Sequence, residues 1–586
     1  MKAAWLGIAL LFAEGISFAQ TPANKLSSEL QYGNSKGNVD VIIQYDQTPT
    51  EAQNQRVASR GGQFHRTLNS VRGGAYTVPA SAIAGLASDP GVIHISVDHK
   101  LSAKLDYATA ATNASAVWPS GWTGAGIGVA VVDSGLYQSQ DFTGRIVYSQ
   151  DFTGSGSTAD QYGHGTHVAG IIGGSGYNSH CAQCTRNLSG MAPSANIINL
   201  RVLDRNGESS DSTVIAAIDQ AIQLKSTYNI RVINLSLGRG VFESYKQDPL
   251  CQAVEAAWKA GIVVVVAAGN DGRDNSVGEQ GYGTINAPGN DPYALTVGAM
   301  KTMETYSRTD DLIGSYSSKG PSLFDNVVKP DLVAPGNMVV SVQASGSTLV
   351  SQYPANVPPV SYYMSNASGR SSNTYFTLSG TSMAAAVVSG AAADLLQAHP
   401  NLTPDQVKAL LMATAYKTFP QSSLATDPIS GLTYTSFYDI FTVGAGYLDI
   451  GAAINSTYLT YIGSFTGNAL SPTVKFNSSA GTIYVNLDPS SDWAALPTSQ
   501  LTYIWGPAIT LGTTGVGGTS GIWGTSGIWG TSGIWGTSGI WGTSGIWGTS
   551  GIWGTSGIWG TSGIWGTSGI WGTATNQSDV TVSGEN

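Results

Sequence analysis

Charge is scarce in this sequence. Asp, Glu, Lys and Arg together make up 11% of its 586 residues, well below the quarter or so usual in a globular chain. The balance is acidic, formally −10, and the basic residues form no cluster. Binding nucleic acid needs grouped Lys and Arg to neutralise phosphates, so this pattern argues against it. Long apolar runs are missing too: after Ala13 no stretch is apolar enough to cross a bilayer core of about 30 Å. Cysteine is limited to Cys181, Cys184 and Cys251, an odd number. His180, Cys181 and Cys184 offer three donors, but a structural zinc wants four, and no obvious fourth lies near. A local disulfide between Cys181 and Cys184 is the favoured reading, with Cys251 a buried free thiol.

What is present begins with an export signal. Lys2 supplies a positive start, Ala3 to Ala13 an apolar run, and Ser17-Phe18-Ala19 the small residues that a signal peptidase reads. Glu14 interrupts the segment. Residues 1–19 are therefore expected to direct secretion, leaving an extracellular protein. Hydrophobic residues make up 42% of the chain, and at this length several domains and a large core are expected.

Residues 20–37 are polar and are expected to be disordered. From 38 to 104 the pattern is strand, helix, strand, helix, strand, with VDVIIQYD, GGAYTV and VIHISV as strands and TPTEAQNQRVASR and SAIAGLAS as helices. From 105 to 455, nearly continuous apolar strands (IGVAVVD, NIINLRVL, IRVINLSL, IVVVVAA) alternate with helices (DSTVIAAIDQAIQLKST, QAVEAAWKAG). This implies an α/β fold, a parallel sheet with helices on both faces, whose ligands bind outside the carboxyl ends of the strands. Residues 456–510 are rich in Thr, Tyr and Ser and read as a small β-rich segment. Residues 511–573 repeat TSGIWG with a period of six, and 574–586 form a polar tail.

Four segments carry chemistry. Asp133 ends the strand in GVAVVDSG; His164 and His167 lie in GHGTHVAG; Asn270 follows the strand in VVVVAAGNDG; Ser382 opens a small-residue helix in LSGTSMAAAVVSG. A serine hydroxyl is a weak nucleophile until a base takes its proton, and a histidine near neutrality suits that task. A buried carboxylate fixes the imidazole tautomer and stabilises the imidazolium. The Asn270 side chain and the Ser382 N–H are candidate donors to an oxyanion, reinforced by the helix N-terminus at Ser382. Alone, each residue has a blander role: a strand-end carboxylate, a helix histidine, an N-cap serine or a turn.

Together, DSG, HGTHVAG, AAGN and GTSMA, in the order Asp, His, Ser, resemble the subtilisin (subtilase) family of serine proteases over about residues 38–455. The resemblance implies a catalytic triad of Asp133, His164 (rather than His167) and Ser382, with Asn270 in the oxyanion hole. Ser236, Leu237 and Gly238 would be the edge on which an extended peptide adds by backbone pairing. Ala268 and Gly269 would line the primary pocket opposite, with Asp271 and Asn286 shaping it. No cofactor is implied for the chemistry. Calcium is an open expectation, with Asp141 a ligand by resemblance, although the loop GGSGYNSHCAQCTRNLSG interrupts that region. Ala386 stands where the family has proline; alanine is a good helix former, so the helix should tolerate it.

Residues 38–104 resemble the family's inhibitor-type propeptide, which implies a zymogen that cuts itself near Leu101 to Leu105. The implied partners are polypeptide substrates and the chain's own propeptide. In an extended repeat an even period puts every Ile on one face and every Trp on the other, which suits association with the cell envelope, with carbohydrate or with another copy. A replicated spacer is the alternative. Two other functions compete: an esterase using the same triad, against which stands the absence of G-x-S-x-G at Ser382, and a surface-binding protein with a degenerate protease core.

Overall fold

β-Branched side chains are stiff at χ1 and pack well on a pleated surface, and where Val and Ile crowd together the chain forms its central strands. In the computed structural model, residues 37–97 and 104–505 are described, with gaps at 106, 275–279, 366, 368, 428–429, 459–466 and 478–481, together with Lys25–Ser27, Leu30, Gly584 and Glu585. The expected signal peptide, the repeats, nearly all of 574–586 and most of the stretch around Leu101 lie outside the described residues. The chain divides into two compact units, residues 1–102 and 103–586.

The first unit runs β1 (Asn38–Tyr45), α1 (Glu51–Ala58), β2 (Gln63–Leu68), β3 (Gly73–Pro79), α2 (Ile83–Ala87) and β4 (Val92–Val97). The four strands form one antiparallel sheet in the order β2-β3-β1-β4. Its apolar side is filled by Val41, Ile43, Tyr76, Val78, Leu86 and Ile95. Two expectations are corrected here. β2 is an additional strand: QFHRTL is almost wholly exposed, so no alternation of buried and polar side chains betrays it, and its pairing with β3 makes it an edge. The stretch 20–37 is not featureless throughout either, because Leu26 bridges Ile95 and the Ser27 N–H donates to the Ile95 carbonyl at 3.0 Å.

The second unit is built on β5 (Gly128–Asp133), β6 (Ile146–Asp151), β7 (Asn196–Arg201), β8 (Ile230–Leu235), β9 (Val263–Ala267), β10 (Leu295–Lys301), β11 (Leu312–Ile313) and β12 (Leu332–Pro335). The order is β11-β10-β9-β8-β5-β7-β6, with β12 on β10. Every pairing is parallel except that of β11 with β10. Helices cover both faces, among them α3 (His164–Gly173), α4 (Asp211–Tyr228), α5 (Pro249–Lys259) and α6 (Thr381–Ala398). Register aligns the strand ends: Asn234 pairs with both Val131 and Val265, and Leu235 pairs with Val266. Asp133, Ser236 and Ala268 therefore emerge along one rim.

Helix α6 packs on α3 and on β8, β9 and β10. The approach is close: a Cβ on Gly390 would fall 2.5 Å from Met191 Cβ and 2.9 Å from the Ile172 carbonyl oxygen. Its run of Ala, Ser and Gly is the consequence. The helix continues unbroken through Ala386, which is fully buried.

The described part of 456–510 belongs to this same core. It contains a hairpin of Thr473–Asn477 with Thr482–Asn486, but Thr498–Trp505 is an α-helix where the composition suggested strand. Trp493 and Trp505 meet edge-on, with ring centroids 6.3 Å apart, and both sit in the cluster that surrounds the sheet. We expect Trp505→Ala to cost about 3–5 kcal/mol of stability by urea titration, the usual loss for a buried tryptophan; an unchanged midpoint would mean that the segment is an appendage.

Candidate active site

Asp133 is the last residue of β5 and is 1% exposed. His164 is the first residue of α3. The imidazole Nδ1–H donates to Asp133 Oδ1 at 2.8 Å and lies 3.0 Å from Oδ2. Burial opposes the charged imidazole, but the charge and hydrogen bond of Asp133 outweigh it and raise the His164 pKa above its ordinary 6.5. His167, one turn on, faces the interior. Its Nε2 lies 3.0 Å from the carbonyls of both Val339 and Phe376, and burial with the neighbouring His164 brings its pKa down to about 3. It is a neutral core residue.

The turn before α3 contains a residue that sequence reasoning missed. The N-cap, Gly163, has no side chain to satisfy the first helical N–H groups. Asp160 does so: its carboxylate accepts from Gly163 N at 2.6 Å, Thr166 N at 2.8 Å and Thr166 Oγ1 at 2.6 Å, and from Ser134 Oγ at 2.8 Å. Ser134, next to Asp133, accepts in turn from Gly165 N. The strand carrying the carboxylate and the helix carrying the imidazole are thus tied through one buried group. The available signal was an Asp three residues ahead of a glycine N-cap.

Ser382 is the second residue of α6. Its Oγ donates to the Ser236 carbonyl at 3.1 Å, and Ser236 Oγ donates back to the Ser382 carbonyl at 2.8 Å. The expected contact between the serine hydroxyl and the imidazole is replaced, in this state, by the bond to Ser236 O. Ser236 and His164 nevertheless line one cleft of ≈ 330 Å³, with Tyr162, Leu203, Leu237 and Gly238. Catalytic hydrogen bonds are commonly long before substrate binds.

Asn270 follows β9. Its Oδ1 accepts from Thr381 N at 2.9 Å and lies 3.1 Å from Thr381 Oγ1, which fixes the amide plane. Gly380 adopts φ +144°, and a Cβ there would sit 3.5 Å from Asn270 Nδ2 and 3.7 Å from Ser382 N. The Asn270 amide, whose Oδ1 is 3.6 Å from the same point, and the Ser382 N–H therefore lie close together at the N-terminus of an 18-residue helix. That combination suits a developing negative charge.

Ser236, Leu237 and Gly238 lie past the end of β8, before Arg239 bridges Ala287. Ala268 and Gly269 lie past β9. Gly269, at φ +107°, has Asn286 Nδ2 and Ser318 Oγ each 2.8 Å from where its Cβ would be. Burial pushes the Asp271 carboxyl up, against a hydrogen bond with Asn286. Asp271 and Asn286 thus stand together beside Gly269.

Asp141 lies in the short turn Gln140–Phe142. Its carboxylate is buried and surrounded by donors: Tyr177 N at 3.0 Å, Asn178 Nδ2 at 3.4 Å and Ser139 Oγ at 3.5 Å. Among the described residues no group of three or more His, Cys, Asp or Glu is placed to hold a metal. Cys181 and Cys184 form a disulfide, and Cys251 is a buried free thiol.

Comparison with known proteins agrees with this architecture. The profile described as "Subtilase family" matches residues 124–435. Serine protease AprX of Bacillus subtilis (strain 168) is 34% identical over 391 residues, 64% of this chain and 83% of the relative. An extracellular serine proteinase of Thermus sp. (strain Rt41A) is 34% identical over 382 residues, 63% of this chain and 76% of the relative. Subtilisin E of Bacillus subtilis (strain 168) is 30% identical over 423 residues, 71% of this chain and 94% of the relative. With the strand order, the aligned strand ends and these matches in view, the chain belongs to the subtilase family and is a subtilisin-like serine peptidase.

Proposed function

We propose that this protein is a secreted endopeptidase, made as a zymogen, in which Ser382, His164 and Asp133 act as nucleophile, base and orienting carboxylate. The observation that carries the reading is the buried Asp133–His164 hydrogen bond beside a cleft whose wall, Ser236, holds the Ser382 hydroxyl. When substrate enters, the hydroxyl turns from Ser236 O to His164 Nε2 and gives up its proton as Oγ attacks the scissile carbonyl carbon. The oxyanion lies against Asn270 Nδ2 and Ser382 N. Collapse breaks the C–N bond, and His164 returns the proton to the leaving amine. Water, deprotonated by the same ring, then releases the acyl group. Ser236–Gly238 pairs with the substrate backbone, and Ala268 and Gly269 form the facing wall of the primary pocket, with Asp271 and Asn286 behind Gly269.

Residues 1–19 serve as the signal peptide in this reading, in keeping with the extracellular relative from Thermus. Residues 38–104 serve as the propeptide and intramolecular inhibitor, and 105–455 with the packed part of 456–510 as the catalytic domain. Residues 511–573 serve in association with an envelope, carbohydrate or a second copy. Self-cleavage near Leu101 to Leu105 separates the propeptide from the catalytic domain in this reading; a Ser382→Ala protein recovered with 38–104 already removed would refute it. A competing role as a surface-binding protein with a dead core predicts no peptide cleavage at all.

A peptide library separates these readings: the active protein cleaves it and Ser382→Ala does not, whereas equal turnover by both would remove Ser382 from the mechanism. Asn270→Ala should lower kcat about 10²–10³-fold with little change in KM, the loss that follows removal of one oxyanion donor from a subtilisin. Activity needs neutral His164, so kcat/KM should rise with pH through a midpoint above 6.5, as set by Asp133. In Asp133→Asn the larger of the two charges that raise this pKa is gone, with Asp160 left, while burial still lowers it, so the midpoint should move down. A midpoint that stays in place would assign the titration to another group.

A further inference from the structure

Glu585 lies beyond the repeats, in a stretch whose composition suggests a solvated tail, yet its side chain is 4% exposed. It sits in a pocket that contacts every recognisable part of it. Oε2 accepts from Arg273 Nη2 at 2.6 Å and from Ser315 Oγ at 2.5 Å. Oε1 accepts from Ser315 N at 2.7 Å and lies 3.3 Å from Lys301 Nζ. The Asn337 side chain reads the backbone, donating to Glu585 O at 2.8 Å and accepting from Glu585 N at 3.0 Å. Gly584 is equally specified: it adopts φ +83°, and a Cβ there would fall 2.6 Å from both Met338 Cγ and Ser379 Oγ.

Buried charges of both signs meet here. Arg273 and Lys301 are 5% and 4% exposed, and their counter-charges here are Asp427, 2.8 Å from Arg273, and Glu585. Withdrawing Glu585 leaves two buried cations with one of these two carboxylates, an expensive state in a low-dielectric interior. Burial opposes ionisation of Glu585, but Lys301, Ser315 and Arg273 overcome it and hold the carboxyl below its ordinary range.

The pocket touches both arms of the site described above. Arg273 is three residues past Asn270, on the segment that Gly272 N anchors to the Tyr316 carbonyl at 2.8 Å. Ser379 is three residues before Ser382, and its Oγ accepts from Met338 N at 2.9 Å. We infer that Arg273, Lys301, Ser315 and Asn337 form a carboxylate-binding pocket that reads a Gly-Glu dipeptide, that its ligand is the chain's own Gly584-Glu585, and that Glu585 is thereby a positioning residue for the arms carrying Asn270 and Ser382. The positioning part rests on the proposed mechanism; the pocket does not.

The test uses the full chain in its active form, with Glu585→Gln, Glu585→Asp and Gly584→Ala variants, and a synthetic peptide of residues 574–586 added to protein truncated after Thr573. Glu585→Gln should lower Tm and reduce kcat at least tenfold while KM stays within twofold. Glu585→Asp should recover part of both losses, and Gly584→Ala, which keeps every charge, should show a smaller loss of the same kind. The peptide should bind the truncated protein by calorimetry and restore kcat, and the same peptide carrying Glu585→Gln should do neither. A lower Tm with unchanged kcat would keep the pocket and overturn the positioning role. An unchanged Tm in Glu585→Gln, or equal binding of the two peptides, would overturn the pocket. If the unaltered protein hydrolyses no peptide, the proposed function fails, while Tm and peptide binding still decide the pocket.

Discussion

Asp133 is a carboxylate at the end of a central strand with almost no access to water, and it is tolerated there because an imidazole N–H stands 2.8 Å away. An ionised group so placed carries a large desolvation cost unless it is paired and hydrogen-bonded. The geometry of the pair is therefore tightly constrained, and much of the surrounding structure serves it. The parallel register brings the ends of β5, β8 and β9 to one rim. Asp160 and Ser134 lock the imidazole-bearing helix against the strand that carries Asp133. The small residues of α6 let that helix lie close to the sheet, so that its N-terminus reaches the same rim.

The scarcity of charge takes on meaning in this setting. Several of the few charged residues lie inside. Asp331 is fully buried between Lys329 and Lys408, at 2.8 and 3.2 Å, and Ser471 joins the cluster through its hydroxyl. Lys408, pushed down to about 7 by burial, also donates to the carbonyl of Pro292 and to Ser471 Oγ, each at 2.8 Å. This cluster fastens the stretch beyond residue 456 to the sheet. The Arg273–Glu585 pair does the same for the end of the described chain. In the first place the distant segment supplies a hydroxyl to ions already paired; in the second it supplies the counter-charge itself, so removing Glu585 takes a partner from a buried cation.

Much of this was legible from the residues. Continuous Val and Ile runs separated by helices announced a parallel sheet covered on both faces, and DSG, HGTHVAG, AAGN and GTSMA marked the rim. What escaped did so for identifiable reasons. β2 hides because an exposed edge strand need not alternate. The helix at Thr498–Trp505 was obscured by a composition rich in Thr and Tyr, which tertiary packing of two tryptophans overrides. Asp160 is a single acidic residue whose only local mark is its place three residues ahead of a glycine N-cap, and Glu585 is one whose partners lie 248 to 312 residues away in the chain, where no local pattern encodes them. The Ser382–Ser236 hydrogen bond could not be anticipated from spacing, since a hydroxyl rotates freely among acceptors.

The central claim is that Ser382 becomes a nucleophile because Asp133 and His164 make it one. Treating the protein with a fluorophosphonate and locating the adduct by peptide mass spectrometry addresses it directly. The account predicts a single adduct on Ser382 that disappears in His164→Ala; labelling at another serine, or at Ser382 with the same rate in His164→Ala, would contradict it.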